Sequence, residues 1–191
     1  MENIELIILF TGKRKCGKDF ICERLNNQLQ PQLCEIIRIS EPIKSEWAKK
    51  LNLDLQMLLS DGPYKEKYRK DMIDWSDEIR AKDYGFFCRK AIQKATKKII
   101  IVSDIRRRND IKYFRDTFDD RIRTVRVSCP DEVRIARGWK FQSGVDDVES
   151  ECGLDDYTDW DLKIMNDGSV DVNQIIEQIV KEFKLDDYLI I

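Results

Sequence analysis

The sequence predicts an α/β fold, a mainly parallel sheet covered by helices on both faces. Three observations predict it. Strand-like and helix-like segments alternate along the 191 residues with no internal repeat and no low-complexity linker. Lys98-Ile99-Ile100-Ile101-Val102-Ser103-Asp104 is apolar at every central position, as a strand buried on both faces must be. The apolar run Ile4-Glu5-Leu6-Ile7-Ile8-Leu9-Phe10 enters a two-glycine loop, Gly12 to Gly17, and leaves it in a helical pattern, which makes a first βα unit.

The elements follow in order. After the loop, Phe20, Ile21, Leu25 and Leu29 recur at helical spacing, predicting a helix over 19–29. Cys34 to Ile39 reads as a second strand. Pro42 to Leu51 reads as a helix, because proline suits a first helical turn. Helical period continues over 64–81 and 86–95, followed by the strand at 98–104. A helix over 111–118, a strand over 123–127 and a helix over 130–137 come next. Residues 138–154 are acidic and loop-like; Leu162 to Met165 is a short last strand, and 172–183 a last helix. Ligands of such sheets bind beyond the carboxyl ends of the strands. That rule puts the Gly12–Asp19 loop, Ser40, Asp104 to Arg107 and Asn166 on one rim.

Composition narrows the function. Lys and Arg total 34 against 36 Asp and Glu, a net charge of −2, which is not the balance of a nucleic-acid-binding chain. No apolar stretch approaches the roughly 20 residues of a membrane helix. Met1-Glu2-Asn3 lacks the basic start of a signal peptide, so the six cysteines (Cys16, Cys22, Cys34, Cys88, Cys129 and Cys152) are expected as reduced thiols in the cytosol. Cys16 reads as a small filler residue of the loop that could also be accessible. There is no histidine. That removes Ser-His and Cys-His nucleophile systems and leaves phosphoryl transfer as the chemistry least affected, because it needs mostly positioning and positive charge.

The motifs point the same way. Gly12-Lys13-Arg14-Lys15-Cys16-Gly17-Lys18-Asp19 has the form of a triphosphate cradle, with glycines aiming backbone N–H groups and Lys18 supplying a point charge. Position 19 is Asp where the general pattern has the magnesium-holding Ser or Thr. Asp104, at a strand end opposite the loop, is where a magnesium-side acid sits; it could equally cap a helix. Arg106 and Arg107 just beyond it can fork onto phosphate oxygens. Lys65 and Arg69, four apart, share a helix face that could receive an anionic acceptor or form ordinary salt bridges; Arg80 follows on the same helix. Arg126, Arg134 and Arg137 precede a glycine-bounded loop like a lid with inward arginines. The acidic stretch from Gly144 to Gly153 does not fit EF-hand spacing and is expected as a mobile loop beside the cationic site.

These stretches together resemble the animal-type phosphomevalonate kinase family. The resemblance rests on Gly12 to Phe20, Tyr64-Lys65-Glu66 with Arg69 to Ile73, Gly85 to Lys90, Val102-Ser103-Asp104 with Arg106-Arg107, Arg137-Gly138-Trp139, and Gly144 to Asp155. It implies a P-loop kinase of nucleoside-monophosphate-kinase-like architecture: one domain over 1–191, an acceptor-binding helical region about 42–95 and a lid about 130–155. It implies transfer from ATP, with Mg2+, to 5-phosphomevalonate. Lys13, Arg14, Lys15, Cys16, Gly17, Lys18 and Asp19 would then hold nucleotide and magnesium, with Asp104 a second metal candidate. Arg80, Arg106 and Arg107, with Lys65 and Arg69, would hold the acceptor. Arg126 and Arg137 would act from the lid, and Asn166 would touch substrate or nucleotide. Asn166-Asp167 departs from that family's Asn-His. A cytosolic monomer with no nucleic-acid or membrane partner is expected; the alternatives are a kinase of another small phosphorylated acceptor, such as a nucleoside monophosphate, or a non-catalytic nucleotide-binding module.

Overall fold

The computed structural model describes residues 3–60 and 62–190. Met1 and Glu2, on which the signal-peptide expectation partly rests, lie outside the described residues. Five strands form one sheet: β1 (Leu6–Thr11), β2 (Cys34–Ile37), β3 (Ile99–Val102), β4 (Ile122–Ser128) and β5 (Leu162–Met165), in the order β2-β3-β1-β4-β5. Every pairing is parallel. β1 is central because it is apolar from Leu6 to Phe10, and its residues alternate between the two cores. Ile8 and Phe10 pack with α1 (Lys18–Gln28) and α9 (Val172–Phe183). Ile7 and Leu9 pack with α5 (Phe86–Ile92) and α6 (Arg108–Phe118).

A smaller cluster of Trp47, Ala48, Leu58 and Met72 joins α2 (Ser40–Leu51), α3 (Leu55–Leu59) and α4 (Pro63–Lys82) beside the sheet. Residues 130–155 hold α7 (Asp131–Ala136) and a single turn, α8 (Glu149–Cys152).

The differences from expectation have local causes. The α3 turn, absent from the sequence reading, is capped by Asp54, whose carboxylate accepts the Met57 N–H at 3.2 Å. α2 begins at Ser40 rather than Pro42. Its cap comes from elsewhere: the Asp104 carboxylate accepts N–H from Ile39 at 2.7 Å and from Ser40 at 2.9 Å. α6 begins three residues before Ile111, because Asp110 accepts the N–H groups of the turn that precedes it. β3 keeps regular pairing only to Val102, so Ser103 and Asp104 turn away from the sheet toward the rim.

The thiols give the fold a pH dependence. Burial pushes Cys34 up to about 12 and raises Cys16, Cys22 and Cys88 as well. An unfolded chain loses these protons near the ordinary value of 9.0. Above that pH the native state binds more protons than the unfolded state, so stability falls as pH rises. Cys34→Ala is expected to make the fall between about pH 9 and 11 shallower by up to about 1.4 kcal/mol per pH unit. Urea unfolding across that range measures it, and an unchanged slope contradicts it.

Candidate functional site

The loop between β1 and α1 takes its shape from two positions. Lys15 and Gly17 both have positive φ, 62° and 89°, and such alternation turns successive N–H groups into one concavity. A Cβ on Gly17 would overlap the Asn166 side-chain amide, and one on Gly12 would come within 2.6 Å of both the Cys16 sulfur and the Val127 carbonyl oxygen. The backbone therefore approaches its neighbours as closely as a phosphate cradle requires. Cys16 is buried and raised by burial, a filler rather than an accessible thiol.

Lys18 opens α1 and is only 4% exposed. Its Nζ donates to the Ser103 carbonyl and, at 2.7 Å, to Asp19 Oδ1. The Asp19 carboxylate itself is largely exposed.

In front of Lys18 lies a cleft of about 680 Å³. Nine basic side chains line it against five acidic ones, a bias that suits an anionic occupant. One face of α4 forms a wall: Lys65, Arg69, Met72, Ser76 and Arg80 recur at helical spacing and all line it. Arg106 and Arg107, between β3 and α6, continue the lining beside Arg80. So four elements far apart in sequence converge: the loop, the start of α2, α4 and the β3–α6 turn. The acceptor candidates Lys65, Arg69, Arg80, Arg106 and Arg107 are all here, as are Arg14, Lys18, Asp19 and Asp104.

Arg107 is 8% exposed and reaches Asp77 on α4. Burial, and then the neighbouring Arg80 charge, pull its guanidinium below the ordinary value. An anion arriving in the cleft would relieve both effects. Burial also works against the Arg80 cation, but the buried Asp110 outweighs it and holds Arg80 above its ordinary value. Arg69 forms a bidentate pair with Glu66 on its own helix, one bond at 2.7 Å.

Asn166, Arg137, Lys13 and Arg126 lie outside this cleft, on the other side of the loop. Asn166 Nδ2 and Arg137 both donate to the Cys16 carbonyl, at 2.8 and 3.1 Å. Asp155 bridges Lys13 at 2.6 Å and Arg126 at 2.9 Å. Arg134 donates to the Arg14 carbonyl at 2.8 Å and lies 3.9 Å over the Trp139 ring. The acidic segment 144–153 meets the cationic cleft through named pairs. Asp146 takes Arg14 at 3.0 Å. Buried Glu151 takes the Arg14 backbone N–H and, at 2.6 Å, the Arg106 guanidinium.

Sequence reasoning missed Lys44, which lines the cleft from α2, and the carboxylates Asp77, Asp110 and Glu151. Asp110 had a signal: an acid three residues after Arg107, at the spacing of a capped helix start. Among the described residues no group of three or more His, Cys, Asp or Glu could hold a metal on its own. Asp104 already accepts two backbone N–H groups but keeps an edge on the cleft.

Comparison with known proteins shows the family of the chain. Residues 10–120 match the family model described as phosphomevalonate kinase. A Drosophila melanogaster protein named phosphomevalonate kinase is 57% identical over 175 residues, covering 88% of this chain and 92% of that protein. Among solved structures, TT1252 from Thermus thermophilus has a TM-score of 0.54 at 13% identity, covering 94% of this chain and 98% of that one, a likeness of fold alone. A shikimate kinase from Bacteroides thetaiotaomicron has a TM-score of 0.48 at 12% identity, covering 94% and 99% of the two chains.

Proposed function

The chain belongs to the phosphomevalonate kinase family, and on that premise we infer that it transfers a phosphoryl group from ATP to 5-phosphomevalonate, giving ADP and 5-diphosphomevalonate. The observation that carries the reading is that Lys18 of the phosphate loop lines one cleft together with Arg80, Arg106 and Arg107. Two polyanions must meet there, and the cations divide between them.

The N–H groups of the loop and Lys18 hold the nucleotide phosphates. Arg80, Arg106 and Arg107, with Lys65 and Arg69, hold the acceptor's phosphate and carboxylate. Arg137 and Asn166 brace the loop through the Cys16 carbonyl, and Arg126 works with Lys13 through Asp155. The acceptor phosphate needs no catalytic base, since its second pKa is about 6 and it is already a nucleophile at neutral pH. A chain without histidine loses nothing by that. The apolar residues of the cleft, Ile39, Ile43, Leu59, Met72, Ile73 and Val145, face the carbon skeleton and exclude water from the reacting oxygens.

The residues fit a hard divalent cation held mainly by phosphate oxygens with one or two carboxylates, the usual habit of Mg2+. Asp19, exposed beside Lys18, and Asp104 are the carboxylates that would hold it. Bound there, Mg2+ supplies neutralisation of the charge shared between the outer phosphates. Asp19→Asn is expected to raise the magnesium concentration for half-maximal turnover and to lower turnover, with metal-free nucleotide affinity little changed. Equal loss of nucleotide affinity would assign Asp19 to the helix start instead.

No described helix is long and apolar enough to cross a membrane. We place the enzyme in the cytosol, a reading supported by its six free thiols, and propose a monomer, which light scattering of the purified protein tests. The reaction itself is tested by coupled ADP release with 5-phosphomevalonate against a panel of nucleoside monophosphates. Turnover is expected with the first and not with the panel; the reverse preference overturns the substrate.

A further inference from the structure

The proposed reaction makes no direct use of Asp110, yet the acceptor wall is organised around it. Asp110 is 1% exposed, near the start of α6. Its Oδ2 accepts the backbone N–H groups of Arg106 at 3.2 Å and Arg107 at 3.1 Å. Its Oδ1 accepts from the Arg80 guanidinium and from the Cys88 thiol, the latter at 3.5 Å. One carboxylate thus ties together three arginines, one from α4 by its head group and two from the β3–α6 turn by their backbone.

A role in stability alone does not account for this arrangement. A buried ion pair is often no more stabilising than apolar residues of the same volume, because desolvation offsets the attraction. The α4–α5–α6 interface around it is otherwise aromatic and aliphatic, with Phe87, Ile92 and Phe114 fully buried. The pair instead stands where the core meets the cleft, and both of its members line that cleft. The Arg80 guanidinium carbon also lies over the Phe87 ring, 5.4 Å from its centroid, a cation–π contact that holds the head group in place. Its Nε is buried without a hydrogen-bond partner, as in a guanidinium kept for an incoming anion.

Resting on the acceptor reading above, we propose that Asp110 is a positioning residue: it sets Arg80, Arg106 and Arg107 in register toward the acceptor's phosphate. A carboxylate is required because every partner is a donor. It alone can accept from a guanidinium on one oxygen and from two N–H groups on the other. An asparagine of the same shape must turn a donor toward one of them. The negative charge also separates the electrostatic fields of Arg80 and Arg107, which otherwise repel.

The test compares Asp110→Asn, Arg80→Met and the double variant in full-length protein. Each is read by acceptor and ATP steady-state kinetics and by the dissociation constant of a non-hydrolysable ATP analogue. Asp110→Asn is expected to lower kcat/KM for the acceptor by about tenfold to a hundredfold, the scale of an ångström-level misplacement, with analogue affinity unchanged. The double should fall below Arg80→Met, because Arg106 and Arg107 lose their anchor, yet by less than the product of the single effects. A purely structural Asp110 predicts a lower melting temperature with acceptor kinetics intact per folded molecule, which overturns the proposal, as does a fully multiplicative double. If Asp110→Asn alone does not fold, the double, which strands no buried charge, decides: equality with Arg80→Met overturns it and a further loss supports it. A silent Arg80→Met counts against the acceptor reading itself.

Discussion

Lys18→Ala is expected to lower turnover by roughly two orders of magnitude or more, the scale of losing one positive group that meets developing charge at a phosphoryl-transfer site. The side chain is buried at the start of α1, with its ammonium shared between the Ser103 carbonyl and Asp19. Those two bonds hold the charge at the mouth of the loop, next to the cleft, before any nucleotide arrives. The charge therefore costs little reorganisation at the moment of reaction. Lys18→Arg should not rescue the activity, since a planar fork cannot occupy the space of a compact ammonium between Ser103 and Asp19. Single-turnover kinetics on the folded variant check this. Near-normal turnover would remove Lys18 from the mechanism and with it the role of the loop.

Arg107→Ala carries the second large effect, a fall in kcat/KM for the acceptor of about a hundredfold or about 2.7 kcal/mol. Arg107 is a compromised guanidinium: buried, depressed by burial and by Arg80, and paired with the partly exposed Asp77. Neutralisation by an incoming phosphate is worth most to such a group. The loss should therefore appear in acceptor parameters while ATP affinity barely moves. Arg107→Lys should recover only a fraction, because one ammonium cannot reproduce a bidentate contact. An Arg107→Ala enzyme whose loss lies in ATP binding would place this arginine on the other substrate.

The parts legible in the sequence are those that depend on local pattern. β1, β3 and α9 announce themselves because a strand buried on both faces is continuously apolar and an amphipathic helix repeats every 3.6 residues. The loop announces itself because only glycine tolerates the approach to Asn166 and Val127 at Gly17 and Gly12. The less legible parts depend on partners distant in the chain. The start of α2 is set by Asp104, 64 residues from Ser40. The Arg14–Glu151 contact spans 137 positions, and no periodicity reports on it. The arginines were recognisable as a class, but Arg80, Arg106 and Arg107 belong to one wall while Arg126 and Arg137 lie beyond the loop.

The sequence by itself determined the chemistry: a phosphate cradle with aspartate at position 19, an excess of arginine at strand ends, and no histidine to act as a base. It determined the sheet as well, because burial on two faces leaves an unmistakable apolar run. Only the tertiary structure decided which cations share the cleft, which carboxylates balance them, and that Asp110 organises three of them. The reason is physical. Periodicity and backbone freedom act between neighbours in the chain, whereas ion pairing and burial depend on distance in space, which the packing of the sheet and its helices sets.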